Sequence, residues 1–313
     1  FCTPIELLGR LHSKCSFIHS IQHTGLSVPA TQRIYCDAVN TTNSMLSQVQ
    51  EWYESNNRNP FILKPEYSRF GSAVHFFREG IDNLKHMNRL EKLVQEKSFT
   101  QKGPWVIQQY IEGVNLCSFS IAKEGALLAH TTYPVSFKAG HSAIFFEAIR
   151  QRTIEDWCEQ FIHEHQIHGL IAFDFIMDSQ QNIWPIECNP RLTSGIHLLA
   201  NQCGISNTFT YADTAICSDS VSDVTVYANS SLRSLYVLLF MYGIRQITSL
   251  KLLNKWISGV LFSSDVIFRW TDPVPALGQF ISLFTFWRIS RKNNISITEA
   301  TTLDLNYSGA GKQ

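Results

Sequence analysis

Two acids and one amide, Asp174, Glu187 and Asn189, are the residues in this sequence best suited to chemistry. They lie in two runs of strand-forming residues, 169–178 and 183–189. Because side chains alternate along a strand, all three are predicted to share one face of a hairpin. Carboxylate and amide oxygens are the ligands that hard divalent cations prefer. Three such ligands are too few for a closed protein cage, so the pattern favours a magnesium site shared with the phosphates of a nucleotide.

The turn between the two runs, Ser179-Gln-Gln-Asn182, sets the expected register. A symmetric four-residue loop predicts these opposed pairs: Asp178 with Ile183, Ile176 with Pro185, Asp174 with Glu187, and Ala172 with Asn189. The other face is predicted to be core and comprises Ile171, Phe173, Phe175, Met177, Trp184, Ile186 and Cys188. On the hairpin alone, an exposed outer face that happens to carry acids is the better explanation.

Composition narrows the class of protein. The 26 basic residues balance 26 acidic ones, which gives no sign of a nucleic-acid or membrane-surface partner. No apolar run reaches the roughly 18 to 20 residues that would span a bilayer. The eight cysteines form no CxxC pair, which favours reduced thiols and a cytoplasmic protein. The chain starts at Phe1, and we expect further sequence before it.

Alternating helix and strand patterns predict an α/β (α+β) fold. Helices are expected over 5–24, 42–53, 79–97, 153–166, 193–202 and 206–217. Strands are expected over 33–36, 61–63, 105–107, on both sides of a turn at 123–125, and in the hairpin at 169–178 and 183–189. From about residue 220 the chain is apolar and helical in tendency, which predicts an appended subdomain.

These residues resemble the ATP-grasp superfamily, in which an acidic residue on one late core strand is followed by an E-x-N motif on the next. Asp174 and Glu187-Cys188-Asn189 fit that pattern, and Pro190-Arg191 extends the match to the branch of carbamoyl-phosphate synthetase and biotin carboxylase. The resemblance implies two magnesium ions that bridge the ATP phosphates, with manganese as a substitute. It places Arg191 near the reacting acyl phosphate.

Three further motifs follow in the order that the superfamily shows. Ser13-Lys14 resembles the segment of the first nucleotide-binding lysine, Lys14. Phe61-Ile-Leu-Lys-Pro65 resembles the strand of the second, Lys64. Tyr67-Ser-Arg-Phe-Gly-Ser72 resembles the loop that closes over the β- and γ-phosphates. Its candidate nucleotide contacts are Ser68, Gly71 and Ser72, and Arg69 is a candidate catalytic residue. By itself, a lysine at a strand end is usually a solvated surface charge.

The segment from Val106 to Asn115 resembles the hinge where adenine docks, with candidate contacts at Gln108, Gln109, Tyr110, Ile111 and Asn115. Relatives carry Glu at the positions of Gln108 and Asn115. An amide still forms hydrogen bonds there but lacks the strength that a charge adds. Both departures put the affinity or choice of nucleotide in question.

Lys138 and His141 lie between hinge and hairpin, where relatives place basic residues that contact phosphate or substrate; an ordinary polar loop is the alternative. Two other patterns do not indicate a site. Ser308-Gly-Ala-Gly-Lys312 lacks the first glycine of a phosphate-binding loop and any room for the following helix. His163, His165 and His168 lack the order of a zinc motif and are better explained as surface residues.

The resemblance implies two α/β subdomains that grip ATP between antiparallel sheets. The expected division is 1–32 as N-terminal helix and linker, 33–110 as a small lid, 111–218 as the large subdomain with the metal hairpin, and 219–313 as a mainly helical subdomain. The implied reaction is an ATP-dependent ligation of a small carboxylate to an amine through an acyl phosphate, and a homodimer is possible. A non-catalytic ATP-binding module and a phosphotransferase remain alternatives.

Overall fold

A computed structural model describes residues 3–35, 41–67, 73–96, 104–140, 142–200, 226–228, 232–295 and 297–301. It confirms the predicted fold class, because helices cover antiparallel sheets. The predicted helix over 206–217 and the end of the one over 193–202 lie outside the described residues, and α6 spans Ile196–Leu199.

The N-terminal segment forms two helices, α1 (Ile5–His12) and α2 (Lys14–Ser20), so the predicted single helix over 5–24 is wrong. The break is at Ser13, which adopts an extended conformation and whose hydroxyl accepts the Ser16 backbone N–H. That hydrogen bond caps α2 in the usual manner of an N-terminal serine. Lys14 is therefore the first residue of α2 and does not lie in the middle of one long helix.

A four-stranded antiparallel sheet, which we call the lid sheet, has the order β1-β4-β2-β3. Its strands are β1 (Thr31–Ile34), β2 (Phe61–Pro65), β3 (His75–Phe77) and β4 (Trp105–Gln109). Helices α3 (Thr41–Ser55) and α4 (Leu84–Gln95) share a core with it. Phe61 and Leu63 enter this core, so the alternate residues of β2 project from the opposite face. Lys64 of β2 and Gln108 of β4 are both buried.

A second sheet, the large sheet, has the order β11-β10-β5-β6-β12. Its strands are β5 (Val114–Lys123), β6 (Ala126–Pro134), β10 (Gly169–Met177), β11 (Ile183–Asn189) and β12 (Val226–Tyr227). All pairings are antiparallel except β12 with β6. Helix α5 (Arg152–Glu164), α1 and α2 share a core with one face, in which Phe17, Phe161 and Phe173 are almost fully buried.

The hairpin register differs from the prediction in one half. Asp174 opposes Glu187 and Ala172 opposes Asn189 as predicted, but Phe175 opposes Pro185 and Met177 opposes Ile183. A bulge follows Asp174, and Asp178 lies in a five-residue loop closed by a hydrogen bond from its N–H to the Asn182 carbonyl.

The β11 residue left without a Cα partner is Ile186, directly after Pro185, which lacks the N–H that a ladder needs. The longer loop and the bulge each shift the register by one residue and cancel before Glu187. Between them the faces are exchanged, so Ile183 is buried in the core. Trp184, predicted to be core, instead donates its indole N–H to Asp178.

Beyond β6 the chain forms β7 (Lys138–Ala139), β8 (Ser142–Ala143) and β9 (Phe145–Glu147). The later described residues are mainly helical: α7 (Tyr236–Leu238), a π-helical turn (Leu239–Gly243), a 3-10 turn (Ile244–Gln246), α8 (Leu250–Leu261), α9 (Val274–Asn293) and α10 (Ile297–Ala300). Strand β13 (Leu232–Ser234) pairs with β9 and with β14 (Ser264–Asp265). Among the described helices, none has the length and apolar character to cross a membrane.

Candidate functional site

A row of four side chains crosses the large sheet, one from each of four neighbouring strands. Glu187 of β11, Asp174 of β10, Cys117 of β5 and Tyr133 of β6 are successive Cα partners. Partners directly opposite in a sheet have neighbouring side chains on the same face. Cys117 and Tyr133 were not predicted as site residues, and only the pairing of β5 with both neighbours could have revealed them.

Asp174 carries an unfavourable charge in this row. Burial and the neighbouring Glu187 carboxylate raise the pKa of Asp174 to about 6, and a hydrogen bond with Cys117 opposes the rise. A cation bound between the two carboxylates would turn their repulsion into attraction. No cluster of three or more His, Cys, Asp and Glu side chains suited to a metal occurs in the described part of the chain. An oxygen-rich site of two carboxylates and an amide fits magnesium, whose remaining ligands are usually water and phosphate.

Asn189 lies beside the acids, as predicted. Its amide nitrogen donates to Asp174 Oδ2 at 3.3 Å, and its Oδ1 accepts from Arg191 at 3.0 Å. The Arg191 guanidinium also stabilises the Asp174 carboxylate electrostatically. The structure thus brings together the three predicted metal ligands and the predicted catalytic arginine.

Lys14 reaches the same acids from α2. Its ammonium nitrogen lies 3.5 Å from Glu187 Oε1 and 3.3 Å from the backbone oxygen of Glu66, and its side chain is only 3% exposed. The capping turn at Ser13 directs this lysine toward β11. Lys14, the first predicted nucleotide-binding lysine, thus lies beside the predicted metal ligand Glu187.

Lys64 is held by Gln108. The lysine nitrogen donates to Gln108 Oε1 at 2.8 Å, and Gln108 Nε2 donates to Thr31 Oγ1 at 3.0 Å. Burial lowers the pKa of Lys64 to about 8, although Glu187 opposes this effect. Both ends of the Gln108 amide are thus engaged within the protein, so its main role in this structure is to hold Lys64.

The remaining hinge residues present backbone and side chains in different ways. Gln109 and Tyr110 are partly buried, Ile111 is buried and Asn115 is exposed. Gln109 pairs with the backbone of Ala30, since its N–H donates to the Ala30 carbonyl and its Oε1 accepts the Ala30 N–H.

Sequence reasoning missed a buried charged cluster beside the stem of the glycine-containing loop. Glu66 is fully buried; it accepts hydrogen bonds from the Ser13 hydroxyl and from Arg33, whose Nε lies 2.7 Å from Glu66 Oε2. The cluster ties α2, β1 and the end of β2 together, next to Lys14. A glutamate after Lys64-Pro65 has no sequence pattern that marks it as buried.

Lys138 is exposed on β7. Its ammonium group makes no hydrogen bond or ion pair with the part of the chain that the structure describes. The predicted contacts Ser68, Arg69, Gly71, Ser72 and His141 lie outside the described residues.

Comparison with known proteins found no matching family model and no matching curated protein. Solved structures do match. The biotin carboxylase domain of Hydrogenobacter thermophilus 2-oxoglutarate carboxylase, in complex with magnesium ADP, ADP and bicarbonate, superposes with a TM-score of 0.55 at 14% identity, over 71% of this chain and 49% of that one. Biotin carboxylase from Campylobacter jejuni gives 0.53 at 15% identity, over 70% and 49%. Carboxyaminoimidazole ribonucleotide synthase from Aspergillus clavatus, complexed with ATP, gives 0.52 at 10%, over 71% and 55%.

The protein has the ATP-grasp fold. The similar structures include biotin carboxylases, which agrees with the branch that the sequence motifs resemble. Identities of 10 to 15% establish the fold alone. The chain spans about half the length of the structures it matches.

Proposed function

We propose that this protein is an ATP-dependent, magnesium-requiring ligase that activates a carboxylate as an acyl phosphate for attack by an amine. The observation that carries the proposal is the meeting of two opposed carboxylates, Asp174 and Glu187, with two buried lysines, Lys14 and Lys64, that come from separate elements. Burial of so much charge is costly unless the charges have partners. Acids for a metal and lysines for phosphates are the combination that phosphoryl transfer requires.

Each part of the chain has a separate task in this proposal. Magnesium is held by Asp174, Glu187 and Asn189. Phosphate oxygens are bound by Lys14 and Lys64. Magnesium, when bound, neutralises charge on the transferring phosphoryl group. Arg191, which is positioned by its hydrogen bond to Asn189, stabilises the negative charge of the acyl phosphate. None of these residues acts as a nucleophile, since the substrate carboxylate itself attacks phosphorus.

The proposed division of the chain follows the two sheets except at β1, which begins at Thr31, and at β12 (Val226–Tyr227), which joins the large sheet from the last part of the chain. Residues 33–110 form the lid, 111–218 the large subdomain and 219–313 an appended subdomain, with 1–32 as N-terminal helix and linker. Lys138 and His141 contact the substrate side, and Ser68, Arg69, Gly71 and Ser72 close over the phosphates. Gln109, Tyr110 and Ile111 line the adenine site, and Asn115 lies at the ribose.

Release of ADP in the presence of hydroxylamine tests the reaction class. The protein, with magnesium ATP and a mixture of amino acids and small carboxylates, is expected to release ADP and form a hydroxamate, because hydroxylamine traps an acyl phosphate. ADP release without hydroxamate would favour a phosphotransferase. Binding of ATP without any ADP release would favour a non-catalytic module, for which the exposed Asn115 and the engaged Gln108 are the supporting observations.

A further inference from the structure

The segment after residue 231 contacts the loop that carries Lys138 at three places. The first is Gln246, whose side chain brackets the backbone of Lys138. The Lys138 N–H donates to Gln246 Oε1 at 3.2 Å, and Gln246 Nε2 donates to the Lys138 carbonyl at 2.7 Å. A paired amide contact of this type engages both backbone polar groups of one residue, Lys138.

The second contact is an ion pair from α8. Lys255 Nζ lies 2.5 Å from Glu147 Oε2 and 3.4 Å from the Ser136 hydroxyl. Ser136 and Glu147 are the two ends of the loop that contains β7, β8 and β9. One lysine therefore joins the start and the end of that loop, 108 residues from Glu147 along the chain.

The third contact is a shared hydrophobic core. Phe137, Phe145 and Leu239 are almost fully buried in one cluster, and β13 pairs with β9. The packing is tight, because a Cβ atom added to Gly259 would lie 2.9 Å from both Leu239 and Phe145 side-chain atoms. Such a contact allows little independent movement of the two segments.

We propose that residues 232–262 form a clamp that holds residues 136–140 and 142–147 and presents Lys138 to an anionic substrate, with Gln246 and Lys255 as positioning residues. The loop is held at three places while the Lys138 side chain stays exposed. That combination suits a group that is pre-positioned for a ligand. The role given to Lys138 rests on the proposed function; the clamp itself does not.

Hydrogen exchange tests the clamp without any substrate. In the full chain, Gln246→Ala and Lys255→Met are each expected to speed amide exchange in residues 138–147 at least fivefold, while exchange in β10 is unchanged. Lys251→Met, on the same helix, is the matched control and is expected to leave the loop unaffected. Unchanged exchange in both variants would overturn the clamp, as would an equal rise across the whole chain.

A double-mutant cycle tests the positioning role. With magnesium ATP and a mixture of amino acids, Gln246→Ala and Lys138→Met are each expected to lower ADP release about tenfold, and the double variant no further than Lys138→Met alone. If the losses of ADP release from the two single variants multiply in the double variant, the positioning role is overturned.

The reversed pair Lys255→Glu with Glu147→Lys is expected to restore slow hydrogen exchange in the loop. If the wild-type protein releases no ADP, the proposed function fails while the exchange result still decides the clamp.

Discussion

Replacement of Gln108 by Glu is expected to change the pH dependence of stability in a defined way. In the protein, Lys64 and Gln108 are 2% and 0% exposed and form a 2.8 Å hydrogen bond. Lys64 thus has a neutral partner, and burial lowers its pKa from 10.5 to about 8. At about 1.36 kcal/mol for each pH unit, this lower pKa means that the charged Lys64 lowers the free energy of unfolding by about 3 kcal/mol.

The sign follows from proton binding. Between pH 8 and 10.5 the unfolded chain binds a proton at Lys64 that the folded chain has released, so the free energy of unfolding rises with pH in that range. Below pH 8 both states are protonated and the full cost applies. A carboxylate at position 108 would attract the ammonium group by about 4 kcal/mol at a separation of about 4 Å, less the cost of its own burial. We expect the pH at which Lys64 loses its proton in the folded protein to rise by about two units in Gln108→Glu.

Urea unfolding from pH 7 to 11 measures this effect. The difference between wild type and Gln108→Glu removes contributions common to both proteins, and the wild type is expected to gain about 3 kcal/mol relative to the variant between pH 8 and 10.5. Gln109→Glu, one residue along the same strand, is the control and should follow the wild type. Parallel curves for wild type and Gln108→Glu would refute the reasoning.

Two further substitutions test the elements around the site. Glu66→Gln breaks a buried pair with Arg33 and is expected to lower the free energy of unfolding in urea by about 3 kcal/mol. Glu54→Gln, in an exposed pair, should lower it by less than about 1 kcal/mol. Equal losses would show that burial does not strengthen the pair of Glu66 with Arg33. Gly113→Ala places a Cβ 2.2 Å from a backbone oxygen of β10 and should cost about 1–3 kcal/mol, whereas Gly278→Ala, with no neighbouring atom within 4 Å, should gain up to about 1 kcal/mol in the same assay. A neutral Gly113→Ala would show that the hinge can move away from β10.

Local sequence signals predicted the centre of the site better than its edges. Asp174 and Glu187 are opposed as predicted, although the loop and the bulge at Ile186 each depart from the assumed register. Counting residues from the turn gave the correct pair only because the two departures cancel. Strand alternation then put both acids on one face, which is a property of the backbone and needs no tertiary information.

The parts that the sequence could not predict depend on contacts between distant segments. Glu66 is paired with Arg33 across 33 residues, and Cys117 joins the site because β5 pairs with β10. Gln108 matches a family position for adenine, yet the structure shows its amide engaged with Lys64 and Thr31. Tertiary packing decides each of these cases.

The C-terminal segment illustrates the same limit. Its helical character was predicted from composition and is confirmed in the described residues. Its contacts with the loop at Lys138 were not predicted, because a glutamine in a polar turn has no pattern that identifies its partner. Helix α9 exposes large apolar side chains such as Leu277, Phe280 and Phe284, which no described residue covers.

Titration calorimetry of ATP binding to wild type and to Glu187→Gln, each with and without magnesium, tests whether Glu187 holds the metal. We expect the wild type to bind ATP much more tightly with magnesium than without it. In Glu187→Gln, which stays folded, this gain in affinity is expected to be at least tenfold smaller. Glu159→Gln, an exposed acid on α5, should behave as wild type. Equal magnesium dependence in wild type and Glu187→Gln, or no ATP binding by the wild type, would contradict the account.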